Sequence, residues 1–132
     1  YTGQTVVFDI EGAEQELAVN HIRITRAVIN LLENAFEATA NQREAVIRFS
    51  TRVQGHWLEV CIEDNGPGMA SDQLERVWEW GFSTKKQPSG LGLFFVRQVV
   101  NQHQGRIELN SWPGQGTRVK IFLPLEQESA IG

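Results

Sequence analysis

The 132-residue chain has the length of one domain and requires no second core. With 41% hydrophobic and 21% charged residues it reads as an ordinary globular protein, and no apolar run approaches the roughly 20 residues that span a bilayer. A net charge of −4, from 12 Lys and Arg against 16 Asp and Glu, argues against a general nucleic-acid binder but leaves room for a local basic cluster on a small anion. Cys61 stands alone, so no internal disulfide forms, and no Cys/His spacing suits a metal; a reducing compartment and a structural thiol follow. The start at Tyr1, without Met or signal-peptide pattern, reads as a piece of a longer protein.

In chain order, T-V-V-F-D-I and E-L-A-V predict two strands around a polar turn at Glu11-Gly12-Ala13. From about His21 to Asn41 a helical period takes over: Leu31, Leu32, Ala35 and Phe36 share one side, and Asn30, Glu33, Asn34 and Glu37 the opposite arc. A-V-I-R-F-S-T-R-V and W-L-E-V-C-I-E-D then alternate as strands joined by a hairpin at Gln54-Gly55-His56. Ser71 is positioned to cap a short helix through Val77, and the irregular W-E-W-G-F-S-T-K-K-Q-P-S-G after it has the length and composition of a lid. L-G-L-F-F-V-R-Q-V-V-N-Q-H-Q predicts a second long helix, buried at its start and closed by Gly105 at C′. A last hairpin, R-I-E-L-N-S and T-R-V-K-I-F-L across W-P-G-Q-G, ends at Pro124. This order predicts one α+β domain over residues 1–125: a two-layer sandwich whose mixed, mostly antiparallel sheet carries helices on one face, with a loose tail at 126–132.

Several residues stand out chemically. In W-L-E-V-C-I-E-D, Leu58, Val60 and Ile62 share a face with Asp64, and a carboxylate in that inward phase is costly unless water or a hydrogen-bond donor meets it. Gly66 and Gly68 follow at once, allowing either a tight turn or the close approach of a ligand. A second cluster, Ser89-Gly90-Leu91-Gly92-Leu93, opens a helix whose free N–H groups favour phosphate, yet the phosphate-loop and dinucleotide fingerprints are both missing. Asn30 and Asn34, four apart, aim two amides at one point, as a solvated face or toward Mg²⁺. Lys85 and Lys86 in the lid are either surface charge or phosphate contacts, and the hydroxyl of Thr117 shares the inward phase of Val119, Ile121 and Leu123. His21, His56 and His103 have no catalytic context and are expected at the surface or in caps.

In order, N-L-L-E-N-A (30–35), D-N-G-P-G-M (64–69), W-E-W-G-F-S-T-K-K (78–86), G-L-G-L (90–93) and G-Q-G-T (114–117) resemble the catalytic ATP-binding domain of sensor histidine kinases. The wider superfamily of DNA gyrase, a heat-shock chaperone and mismatch-repair ATPases shares this Bergerat-type fold. The resemblance implies that Asp64 accepts a hydrogen bond from the adenine amine and that Thr117 supports the base. Gly66, Gly68, Gly90, Leu91 and Gly92 would line the nucleotide, Asn34 would bind Mg²⁺ with Asn30 beside it, and Lys85 and Lys86 would reach the terminal phosphates. Trp78, Trp80 and Phe82 would anchor the lid or meet a partner domain.

The same resemblance implies transfer of the γ-phosphoryl group of Mg-ATP to a histidine, in a two-component phosphorelay. No H-E phosphoacceptor segment occurs in the chain, so that histidine is expected on a separate dimerisation domain, with a response-regulator receiver downstream. The fragment itself is expected to be monomeric and cytoplasmic within a homodimeric, membrane-anchored or soluble parent. Three departures bear on this: Asn30 stands where hydrolytic relatives carry a Glu general base, Glu37 where many kinases have Lys, and Pro88 where the lid commonly has Gly. An ATPase, a protein serine kinase and a non-catalytic interaction module of the same fold are the alternatives.

Overall fold

The structure, a computed structural model, describes residues 4–11, 21–79 and 92–125. The expected strand at Glu16–Val19, most of the lid and the tail lie outside these residues. In chain order the elements are β1 (Gln4–Ile10), α1 (His21–Ala38), β2 (Ala45–Gln54), β3 (Trp57–Asp64), α2 (Ser71–Arg76), α3 (Gly92–Gln102), β4 (Arg106–Trp112) and β5 (Gly116–Pro124). The strands form one sheet in the order β1-β2-β3-β5-β4. β1 runs parallel to β2 because a helix intervenes, whereas the β2–β3, β3–β5 and β4–β5 pairs are antiparallel. The expected mixed, mostly antiparallel α+β sandwich is thus borne out.

Alternation along the strands fixes which side is covered. Ile47 in β2, Val60 and Ile62 in β3, and Val119, Ile121 and Leu123 in β5 all point to the helical layer. α1 answers with Ala27, Leu31 and Ala35, spaced by four, and α3 with Leu93, Val96, Val99 and Val100. Leu32 and Phe36 pack at the margin of this core, and Asn30 and Asn34 are half-buried rather than fully solvated, with Asn30 bonded to α3.

Two helix ends differ from expectation. Ala70, not Ser71, is the N-cap of α2, and the Gln73 side chain accepts the Ala70 N–H at 3.0 Å, the work a capping hydroxyl would have left undone. At the end of α3, the left-handed residue is Gln104 (φ 56°) rather than Gly105. Gly105 donates to the Val100 carbonyl at 2.9 Å and Gln104 to that of Asn101 at 3.1 Å, the paired bonds of a Schellman turn displaced by one residue. Gly105 is required there for another reason: a Cβ on it would lie 2.5 Å from the Phe122 carbonyl oxygen.

The helix-free face is polar but not wholly solvated. Glu59 is only 5% exposed, and its carboxylate meets Arg52 at 3.2 Å and Lys120 at 3.6 Å, so this buried charge is paired. Burial pushes the neighbouring Cys61 thiol up from its ordinary value, with Glu63 adding to the shift, which keeps it protonated and supports a structural role. His103 sits at the end of α3, its Nδ1 2.7 Å from the Val99 carbonyl, a capping role as expected.

Leu31, 3% exposed at the meeting of α1 and the sheet, is the sharpest test of this packing. Leu31→Ala is expected to cost about 2–5 kcal/mol in urea unfolding, whereas exposed Glu33→Ala stays within about 0.5 kcal/mol. Similar small effects for both would mean that α1 is not seated on this core.

Candidate functional site

β3 carries Asp64 to its C-terminal end between two neighbours, with Ile47 of β2 on one side and Thr117 of β5 on the other. Ser111 of β4 pairs in turn with Thr117. Since Asp64, Thr117 and Ser111 occupy matching phases of three adjacent strands, they form a polar row on the helix-facing side at one end of the sheet. Asp64 is 9% exposed. Its Oδ1 accepts the Gly66 N–H at 2.8 Å. Burial raises the Asp64 carboxyl above its ordinary range, against the lowering effect of the Gly66 and Thr117 backbone N–H groups, and Glu63 adds to the rise.

The loop after β3 is pinned on both flanks. On one side, Asn65 Oδ1 accepts the Val46 N–H at 2.8 Å and Gln42 Nε2 at 3.0 Å, while its Nδ2 donates to the Glu44 carbonyl at 3.0 Å. Asn65 therefore clamps the turn between α1 and β2 and has a structural task. On the other side, the Pro67 carbonyl accepts the Gly114 N–H at 2.7 Å, and the Met69 N–H donates to Ser111 Oγ at 2.8 Å. Gly68 adopts φ 71°, and any Cβ there would run into the Trp112 carbonyl, so only glycine fits between the loop and the β4–β5 hairpin.

α1 spans the two glycine segments. Near its middle, Asn30 Nδ2 donates to the Gly92 carbonyl at 2.9 Å, fixing the first residue of α3, which takes φ 46°. At its end, the Ala38 carbonyl oxygen lies 3.3 Å from where a Cβ on Gly66 would be. Asn34 is one helical turn, about 6 Å, from each of these points. It therefore lies along α1 between the 65–69 loop and the start of α3. Among the described residues no group of three or more His, Cys, Asp and Glu assembles as a metal cage.

The structure brings together Asn30, Asn34, Asp64, Gly66, Gly68, Gly92 and Thr117 around one end of the sheet. Lys85, Lys86, Gly90, Leu91, Trp80 and Phe82 lie outside the described residues. Trp78 packs against the core with the Arg97 guanidinium 4.9 Å over its ring. Sequence reasoning missed Ser111 and Asn65. Ser111 was in phase with Leu109 and Ile107 and therefore pointed inward, a signal of the same kind that singled out Thr117.

The arrangement is a mixed sheet under helices with a buried acceptor and a glycine loop at one end, an α+β sandwich with the frame of a small-ligand site. Residues 19–127 match the family of histidine kinase-, DNA gyrase B- and HSP90-like ATPases. The chain belongs to this family. It is 33% identical over 110 residues to the sensor histidine kinase ZraS of Escherichia coli strain K12, covering 83% of this chain and 23% of that protein. It is 36% identical over 104 residues to sporulation kinase B of Bacillus subtilis strain 168, covering 79% of this chain and 24% of that protein. The chain thus spans about a quarter of the length of these two relatives. In fold it is similar to the mycobacterial sensor histidine kinase MprB, with a TM-score of 0.81 and 24% identity over 96% of this chain and 87% of that one. The expected family, drawn from five spaced motifs, is borne out.

Because the folded state holds the Asp64 proton more tightly than the unfolded chain, this group alone lowers stability as pH rises from its unfolded through its folded pKa. We expect a carboxyl-carbon NMR titration of Asp64 to show a midpoint above the ordinary aspartate range, and Asp64→Asn to flatten the fall in stability over that window. A midpoint at or below the ordinary value would show that the backbone donors outweigh burial.

Proposed function

We propose that this chain is the catalytic ATP-binding domain of a sensor histidine kinase, confined to residues 1–125, which binds Mg-ATP and donates the γ-phosphoryl group to a histidine on a separate helical domain. The observation that carries the reading is Asp64, a carboxylate 9% exposed in the inward phase of a central strand and held by a backbone amide rather than by a cation at that contact. Its unused lone pairs suit the exocyclic amine of adenine. A base with a carbonyl there leaves acceptor facing acceptor, which makes the site selective for ATP over GTP. Thr117 flanks the base, Gly66, Gly68, Gly90, Leu91 and Gly92 give backbone access to the nucleotide, and Lys85 and Lys86 reach the terminal phosphates.

The Asn34 amide oxygen would hold Mg²⁺ together with phosphate oxygens and water, the usual division for this ion. When bound, it neutralises charge developing on the transferred phosphoryl group. The chain's own contribution is orientation of the phosphates by the glycine segments and lid lysines.

Asn30 favours a kinase over a hydrolase. Its Nδ2 is spent on the Gly92 carbonyl, a bond a carboxylate could not donate, and an amide is no base for water. A response-regulator receiver as the next phosphate acceptor, a homodimeric parent and a cytoplasmic position belong to the same proposal. No described helix is long and apolar enough to cross a membrane.

The test is calorimetric titration of the 132-residue chain with ATP and GTP, with and without Mg²⁺, beside Asp64→Ala. ATP-selective binding that weakens at least about ten-fold in the variant is expected, given the roughly 1.5–3 kcal/mol of a hydrogen bond to a charged group. Incubation with a histidine-bearing helical domain should then yield acid-labile, alkali-stable phosphate. Steady phosphate release without transfer would favour an ATPase, alkali-labile phosphate on a serine partner a serine kinase, and no nucleotide binding an interaction module.

A further inference from the structure

Ser111 Oγ sits at the meeting point of three groups: the Met69 N–H at 2.8 Å, the Gly116 carbonyl at 3.1 Å and Thr117 Oγ1 at 2.8 Å. The proton count at this point is constrained. Met69 can only donate, and the Gly116 carbonyl can only accept, so the single Ser111 proton goes to Gly116. Thr117 must then donate its own proton to Ser111. Its oxygen is left with lone pairs alone on its open side, since Thr117 is half-buried and lies in register beside Asp64.

We propose that Ser111 is a positioning residue for base selection, which takes up the Thr117 proton and thereby turns Thr117 into a second acceptor beside Asp64. This rests on the reading of Asp64 and Thr117 as the base-contacting pair. An exocyclic amine carries two N–H donors, so two adjacent acceptors match adenine. Guanine presents a carbonyl oxygen at the same place and meets lone pairs from both sides. Without Ser111, the Thr117 hydroxyl is free to turn and donate to that carbonyl, which removes one of the two repulsions. The Met69 bond ties the glycine loop to the same oxygen, so loop position and hydroxyl polarity depend on one residue.

The experiment measures ATP and GTP affinity of the 132-residue chain, with thermal unfolding midpoints, for wild type, Ser111→Ala, Ser111→Thr, Thr117→Val and the Ser111→Ala/Thr117→Val double variant. Ser111→Ala is expected to narrow the ATP-to-GTP affinity ratio about five-fold, the worth of one typical hydrogen bond. Ser111→Thr, which restores the hydroxyl, recovers the ratio. In the Thr117→Val background, where no hydroxyl remains to orient, Ser111→Ala leaves the ratio unchanged. Equal weakening of both nucleotides in Ser111→Ala would overturn the proposal and leave Ser111 a scaffold for the loop. Should Ser111→Ala not fold, Ser111→Cys, of similar size but a weak hydrogen-bond partner, takes its place, with a narrowed ratio supporting and an unchanged ratio overturning the proposal. A wild-type chain that does not prefer ATP, or an Asp64→Ala variant that keeps the preference, would remove the base-reading site itself; loss of the ratio change alone would remove only the role of Ser111.

Discussion

The structure turns on one carboxylate kept where it is expensive to keep. Asp64 ends a central strand in the phase of Val60 and Ile62, and burial holds its proton more tightly than water would. Glu59, five residues earlier on the other face of the same strand, is buried to a similar degree but lies between Arg52 and Lys120. Glu59 is a structural charge with its counter-ions in place. Asp64 is answered instead by a backbone amide, which leaves acceptor capacity for a ligand to satisfy.

Much of the surrounding architecture follows from holding that acceptor still. The register places Thr117 and Ser111 beside it on successive strands. The loop that supplies the Gly66 amide is fastened to β2 through Asn65 and to the β4–β5 hairpin through Pro67 and Met69. Each fastening satisfies a backbone N–H, that of Val46, of Gly114 or of Met69. The loop thereby gains a defined shape without a hydrophobic core of its own, and its glycines let the backbone close on Asp64 at Gly66 and on the Trp112 carbonyl at Gly68.

How much of this the amino-acid sequence disclosed depends on the range of the interaction concerned. Strand phase is local, so the inward placement of Asp64 and Thr117 was legible from alternation alone, as were the hairpin turns and the core stripe of α1. The parallel edge pairing of β1 was not, because it depends on where a crossover returns the chain. Helix ends went wrong by one residue at both α2 and α3: Ala70 took the N-cap position expected of Ser71, and Gln104 the left-handed position expected of Gly105, where the Phe122 carbonyl leaves no room for a side chain. Ser111 was missed for a different reason. Its importance lies in three partners from two other segments, and no spacing within its own strand announces them.

Asn30 shows how a single exchange of functional group can set both structure and chemistry. A carboxylate at that point on α1 would supply a base for water but would face the Gly92 carbonyl with like partial charge. The amide removes the base and supplies the donor, closing α1 onto the first residue of α3. The start of α3 offers free backbone N–H groups, so the bond that removes a base from α1 also fixes the helix end to which, on the proposed reading, a nucleotide's phosphates would be drawn. Under the proposed kinase reading, an amide at this point would leave bound ATP unspent on water, for an acceptor of another kind. That is the division of labour a transferase domain needs when its acceptor is carried elsewhere.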